Sequence, residues 1–142
     1  MFVKRLPTLC IALLATGVFY SQPPVHAAPG AALYSTAQSD RGKALYAKQC
    51  TSCHSADLGG VGQAPPLVDN EFLSKYTDQP IFVLFNKIQK TMPATAPGSL
   101  TPSDTADVLA YILSANSFPA GATDLPSTED ALQKTPLTTP AK

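Results

Sequence analysis

Two thiols and an imidazole stand within five residues of one another, in the run Cys50-Thr51-Ser52-Cys53-His54. At a helix end, positions three apart share a face. Both sulfurs can therefore reach along one edge of a flat group, with the next residue's imidazole carried beneath it. Four chemistries use such a pair: a redox dithiol, a structural disulfide, half of a zinc site, or thioether attachment of a haem whose iron takes the histidine. A dithiol of the thioredoxin type calls for a strand before the motif and a βαβ setting. The residues ahead of Cys50 read instead as a helix from about Ser39, capped by Ser39 or Asp40 and with Leu45 and Tyr46 on its apolar side.

The N-terminus separates the remaining readings. Lys4 and Arg5 precede an apolar run from Leu6 to Tyr20, and Val25-His26-Ala27 fits a small-residue cleavage rule with the cut after Ala27. The run is shorter than the roughly 20 apolar residues a bilayer core needs. Residues 1–27 are thus expected to be a cleaved signal peptide rather than a retained anchor. Cys10 lies inside the run rather than at its end, which removes a lipoprotein context. Of three cysteines only Cys50 and Cys53 outlive cleavage, of two histidines only His54, and of two methionines only Met92. Zinc would need two further ligands, and no other Cys or His remains to supply them. A disulfide explains neither His54 nor export. The expected cofactor is one covalently bound haem c with its iron, attached through Cys50 and Cys53 and ligated by His54.

Charge excludes other classes. Lys4 and Arg5 leave with the signal, so 10 basic residues become 8 against 10 acidic, a net charge of −2. Nucleic acid would call for a clustered basic face. An anionic membrane surface would call for a basic patch, and neither is present.

Along the exported chain, residues 28–37 read as a flexible leader and residues 38–118 as one small all-α domain. Gly59, Gly60 and Gly62, with two prolines, make Cys53 to Pro66 a loop. Asp69 to Tyr76 suits a short helix. The next helix is expected to start at Asp78 as N-cap with Pro80 in its first turn, and Ile81, Leu84, Phe85 and Ile88 form one apolar stripe. Pro93, Pro97 and Gly98 break Thr91 to Leu100. The last helix takes Thr101 as N-cap, Pro102 at its first position and Asp104 in a near capping box, and buries Val108, Tyr111 and Ile112. No strand is expected. Residues 119–142 are Pro/Thr/Ser-rich without sustained apolar period and read as a disordered tail, with room for a short helix around Ser127 to Lys134. So small a core commonly needs a staple, and a buried haem would be one.

Elimination narrows the second axial position. With one histidine left, bis-histidine ligation within the chain is excluded, leaving a Met thioether or no protein ligand. Met92 lies 38 positions after His54, and Pro93 biases it toward extended backbone. A lone methionine is more often core filler, but here an iron must be satisfied. His54 and Met92 together would favour ferrous iron, raise the potential and leave no open site for oxygen. A carrier is expected, not an enzyme.

With these residues in place, the sequence resembles a class I cytochrome c from about Gln38 to Ser117. Gly42 and Tyr46 match the family's glycine and aromatic on the first helix; Val108 and Tyr111 match the apolar and aromatic positions on the last. The resemblance implies that these helices cross near a right angle, with the glycine allowing close approach. It also implies that a proline carbonyl in Ala64-Pro65-Pro66-Leu67 accepts the ligand histidine's N–H, at Pro65 or, one register on, Pro66. Thr91-Met92-Pro93 is similar to the family's methionine segment. Leu58-Gly59-Gly60 and Ala64-Pro65-Pro66-Leu67 look most like bacterial cytochromes that serve, or are fused to, quinoprotein dehydrogenases. Tryptophan is absent, leaving Tyr76, Asn86, Lys87 or Gln89 for the haem propionates, and the lysine-rich face of mitochondrial relatives is missing.

The reading implied is a soluble, monomeric, periplasmic or otherwise exported one-electron carrier. It would take electrons from a dehydrogenase or respiratory complex and pass them to an oxidase or another cytochrome. Three rivals remain: a haem subunit of a dehydrogenase complex, for which the tail would serve as a tether; a ligand-binding sensor with an open iron; and a non-haem dithiol protein.

Overall fold

A computed structural model of the chain describes residues 32–138. The expected signal peptide at 1–27, Cys10, the first part of the leader and the last four residues of the tail lie outside the described residues. In chain order the elements are β1 (Tyr34–Ser35), α1 (Thr36–Gln49), α2 (Thr51–His54), α3 (Asp69–Tyr76), α4 (Phe82–Thr91), α5 (Pro102–Ala115), β2 (Ala120–Gly121) and α6 (Glu129–Gln133).

The frame is the crossing of α1 and α5. An added Cβ at Gly42 would overlap the Asp107 carbonyl, so glycine is what lets the two backbones touch. One turn further along α1, the rings of Tyr46 and Tyr111 pack 5.2 Å apart at a tilt of 57°. At the other side of Gly42, Arg41 donates through Nε and Nη2 to both oxygens of Asp107, at 2.8 and 2.9 Å. That fork pairs a carboxylate only 8% exposed, which would otherwise be costly to bury. Val108 and Ile112 are buried as expected, while Tyr111 is half-buried.

Helix α5 begins as the sequence reads. The Thr101 hydroxyl accepts from the Asp104 N–H at 3.1 Å, and Pro102 is the first helical residue. The box is not reciprocal in the usual way: the Asp104 carboxylate accepts from the Thr101 hydroxyl itself, at 2.7 Å. Helix α3 spans the expected residues. Helix α1 starts three residues earlier than expected. Ser35, not Ser39 or Asp40, caps it by accepting from the Gln38 N–H, while Ser39 lies on the buried face and donates to Ser114.

Four expectations fail where the two ends of the described chain pack on the domain, for one connected reason. The tail is not a disordered appendage in its described part. Residues 119–138 fold back over the domain and bury Leu125, Leu132 and Leu137 to 2%, 0% and 1% exposure. The leader is not loose from Ala32 on: Tyr34 is buried, donates to the Phe118 carbonyl at 2.7 Å, and forms the parallel pair of β1 with β2. These strands are two residues each, too short to leave an alternating pattern. Finally, Asp78 does not cap α4. Its N–H donates to Leu137 O, that of Ile81 to Thr135 O, and that of Leu137 to Gln79 O, each at 2.9 Å. Donors of this entry segment are committed to the strap, so α4 starts at Phe82 behind Ile81. The stripe Ile81, Leu84, Phe85, Ile88 is buried as expected.

Side chains also tie the strap down. Gln38 pairs with the backbone of Leu125 as a strand would, donating to its carbonyl at 3.0 Å and accepting from its N–H at 2.6 Å. Asp124 accepts from Ser35 and from Arg41, and these bonds hold its carboxyl below the usual carboxylate range.

Leu132→Ala is therefore expected to lower the unfolding free energy by about 3 kcal/mol, the usual cost of emptying a fully buried leucine site. Denaturant unfolding checks this, and an unchanged midpoint would mean that the strap is detached in solution.

Candidate functional site

Helix α1 ends at the motif and α2 carries it. The Cys50 N–H closes the last turn on Tyr46 O at 2.9 Å, and the His54 N–H returns to Cys50 O at 2.9 Å. One helical turn thus holds Cys50, half-buried, Cys53, exposed, and His54, 8% exposed. Tyr46 fixes this turn from below: its hydroxyl lies 2.8 Å from Ser55 O and 3.2 Å from His54 O. The sequence marked Tyr46 as core; its polar end was missed, although its position eight residues before His54, two helical turns away, was the available signal.

The following loop then folds back over the motif. Gly60 N–H donates to His54 O at 3.1 Å and Val61 N–H to Cys53 O at 2.9 Å. Gly60 has φ of 80°, and an added Cβ there would overlap the Ala64 carbonyl, so both its conformation and its contact call for glycine. This return places the Pro65 carbonyl 3.0 Å from His54 Nδ1. The bond falls on Pro65, not Pro66. A carbonyl oxygen only accepts, so Nδ1 carries the proton and Nε2 keeps its lone pair for a metal.

Met92 closes α4 with φ −121° and ψ 153°, the extended backbone expected before Pro93, and is half-buried. Cys50, Cys53, His54, Pro65 and Met92 all border one cavity of about 400 Å³. Its walls come from α3, α4, α5 and the loop: Leu67, Phe72, Leu84, Ile88, Val108 and Ile112. Of the residues considered for propionates, Tyr76 and Lys87 line it and Asn86 does not. Gln89 is engaged elsewhere, with Leu100 and Thr105.

The donor set fits a haem. Both cysteines are free thiols beside an apolar slot, with an imidazole and a thioether on its border. Burial, with a smaller effect from Cys53, pushes the Cys50 thiol up to about 11. A reactive dithiol needs the opposite shift. Among the described residues no group of three or more His, Cys, Asp or Glu side chains is placed to hold a metal. No described helix is long and apolar enough to cross a membrane.

Comparison with a family model and a relative in sequence agrees. The family model described as cytochrome c oxidase, cbb3-type, subunit III matches residues 37–112, more than half of the chain. A cbb3-type cytochrome c oxidase subunit CcoP from Rubrivivax gelatinosus is 34% identical over 86 residues, which cover 55% of this chain but only 26% of that protein. The solved sulfane dehydrogenase SoxCD from Paracoccus pantotrophus aligns at 24% identity and TM-score 0.48, over 61% of this chain and 45% of that one. With its mostly helical fold and apolar slot beside the C-x-x-C-H turn, the chain belongs to the cbb3-type subunit III family of cytochrome c domains, and is a class I c-type cytochrome with covalently bound haem c.

Proposed function

We propose that the chain is an exported monohaem electron carrier, with thioether bonds from Cys50 and Cys53 and axial ligation by His54 and Met92. One observation carries this reading: the only imidazole in the described chain, oriented by Pro65, shares a single apolar cavity with the only methionine there. Haem c, when bound, supplies a one-electron ferrous/ferric couple.

The chain's own residues hold that couple in a fixed setting. Cys50 and Cys53 tether one edge of the group, and the Pro65 carbonyl keeps the His54 tautomer and strengthens its donation. Phe72, Leu84, Ile88, Val108 and Ile112 keep water from the slot and lower its dielectric, while Tyr76 and Lys87 stand ready for the propionates. Held by both His54 and Met92, the group would have little freedom to shift between redox states, which suits transfer over catalysis. Exposed Cys53, with Gln63, Ala64, Ala94 and Thr95 around the cavity mouth, marks where electrons would enter and leave.

A second reading, a haem subunit within a respiratory complex, follows from the relative's name as an oxidase subunit. The strap weakens its tethering version, since residues 119–138 pack on their own domain. A stable complex on co-purification would favour this reading, and an isolated monomer would favour the free carrier.

Met92→Ala should retain covalent haem, lose the sulfur-to-iron absorption band and lower the potential by on the order of 0.1 V, within the roughly 0.8 V range set by axial ligands. An unchanged spectrum and potential would remove Met92 from the ligand set. Replacing Cys50 and Cys53 together by alanine should abolish covalent attachment and prevent folded protein from accumulating. Normal yield of a folded, haem-free double variant would show that the core is complete without its cofactor.

A further inference from the structure

Met92 opens a segment that is weakly held. Residues 94–99 are all exposed, and among the described residues their hydrogen bonds stay within the segment: Ala96 N–H to Pro93 O at 2.9 Å and Ser99 N–H to Ala96 O at 3.2 Å. One side chain closes its base. Gln89, on the last turn of α4 and three residues before Met92, donates from Nε2 to the Leu100 carbonyl at 2.6 Å. Its Oε1 accepts from the Thr105 hydroxyl at 2.9 Å. Thr105 is fully buried on α5, and its single hydroxyl proton is shared with the Thr101 carbonyl at 3.0 Å. The amide therefore uses a donor and an acceptor at once, joining the helix that ends in Met92 to the far end of the loop and to the helix beyond. Gln89 does not line the haem cavity.

We propose that Gln89 is a positioning residue for Met92: its amide clasp holds the methionine segment shut and so opposes displacement of Met92 from the iron by outside ligands. The inference rests on the reading of Met92 as axial ligand. For Met92 to leave, the segment must swing from its base, and at that base the clasp resists. Without the amide, the buried Leu100 carbonyl loses its donor and the Thr105 hydroxyl keeps only the Thr101 carbonyl, so the closed form is less favourable, while in the open form water can pair with the freed groups.

The test is imidazole titration of the full-length ferric protein, followed by the sulfur-to-iron band, with carbon monoxide binding to the ferrous form as a second readout. Gln89→Leu keeps size and removes both bonds. It should bind imidazole about tenfold more tightly, the equivalent of one hydrogen bond, and bind carbon monoxide faster. Thr105→Val removes one of the two clasp bonds, along with the hydroxyl's contact to the Thr101 carbonyl, and should show a smaller rise, about threefold; it also serves if Gln89→Leu does not accumulate. Leu132→Ala, which weakens the fold at the strap, is the control and should leave imidazole affinity near that of the parent. If both clasp variants keep the parent affinity while the parent shows the sulfur band, the clasp has no such role. An equal rise in Leu132→Ala would reduce the effect to general stability and overturn the proposal. If the parent lacks the band, or Met92→Ala binds imidazole no more tightly than the parent, the ligand reading itself fails, and this proposal with it.

Discussion

The close contact of α1 with α5 at Gly42 sets everything downstream. Because the Asp107 carbonyl occupies the space a Cβ would take, the helices meet backbone to backbone, and the axial registry between them is fixed. Arg41 locks that registry through its fork on Asp107, and Tyr46 extends it to the haem-attachment turn through the carbonyls of His54 and Ser55. The motif is thus placed by a tertiary crossing rather than by its own turn, which is too short to hold a position alone.

Around that crossing the core is built with an opening. Phe72, Leu84, Ile88, Val108 and Ile112 face a slot of about 400 Å³ instead of closing on one another. Protein interiors tolerate such voids poorly, so these side chains make sense as the bed of a large apolar cofactor. The strap works in the other direction: Leu125, Leu132 and Leu137 add fully protein-made core on surfaces outside the slot. A domain this small gains from both. The family match spans residues 37–112, so the strap lies outside the matched residues.

What was legible in the sequence follows the range of the interactions. The Cys50-Cys53-His54 turn, the stripe on α4 and the Thr101-Pro102 start of α5 are set by neighbours within a turn or two, and each stands where the residues place it. Met92, which borders the cavity, was singled out by counting rather than by pattern. The misses are long-range. Asp78 has the chemistry of a cap, yet its N–H is taken by Leu137, 59 positions later. Ser35 looked like leader until Tyr34 met Phe118. The three leucines of the strap are spaced seven and five apart, which matches neither helix nor strand, because they follow the surface they cover rather than a period of their own. Gln89 was weighed as a propionate donor because its amide suits that role; only the packing of α4 on α5 gives it other partners.

The charges complete the picture of how such a carrier is recognised. Arg41, Asp107 and Asp124 form one internal network, Lys75 pairs with Glu71 at 3.1 Å, and Lys134 with Asp130 at 2.7 Å. Lys87 is the one Asp, Glu, Lys or Arg among the described residues lining the cavity. Around the mouth stand Ser52, Gln63, Ala94 and Thr95, exposed, with Ala64 half-buried, all of them uncharged. A face of that kind offers little long-range steering. For the carrier proposed above, docking there would depend on fit and on desolvation of small neutral groups, in a small and transient contact.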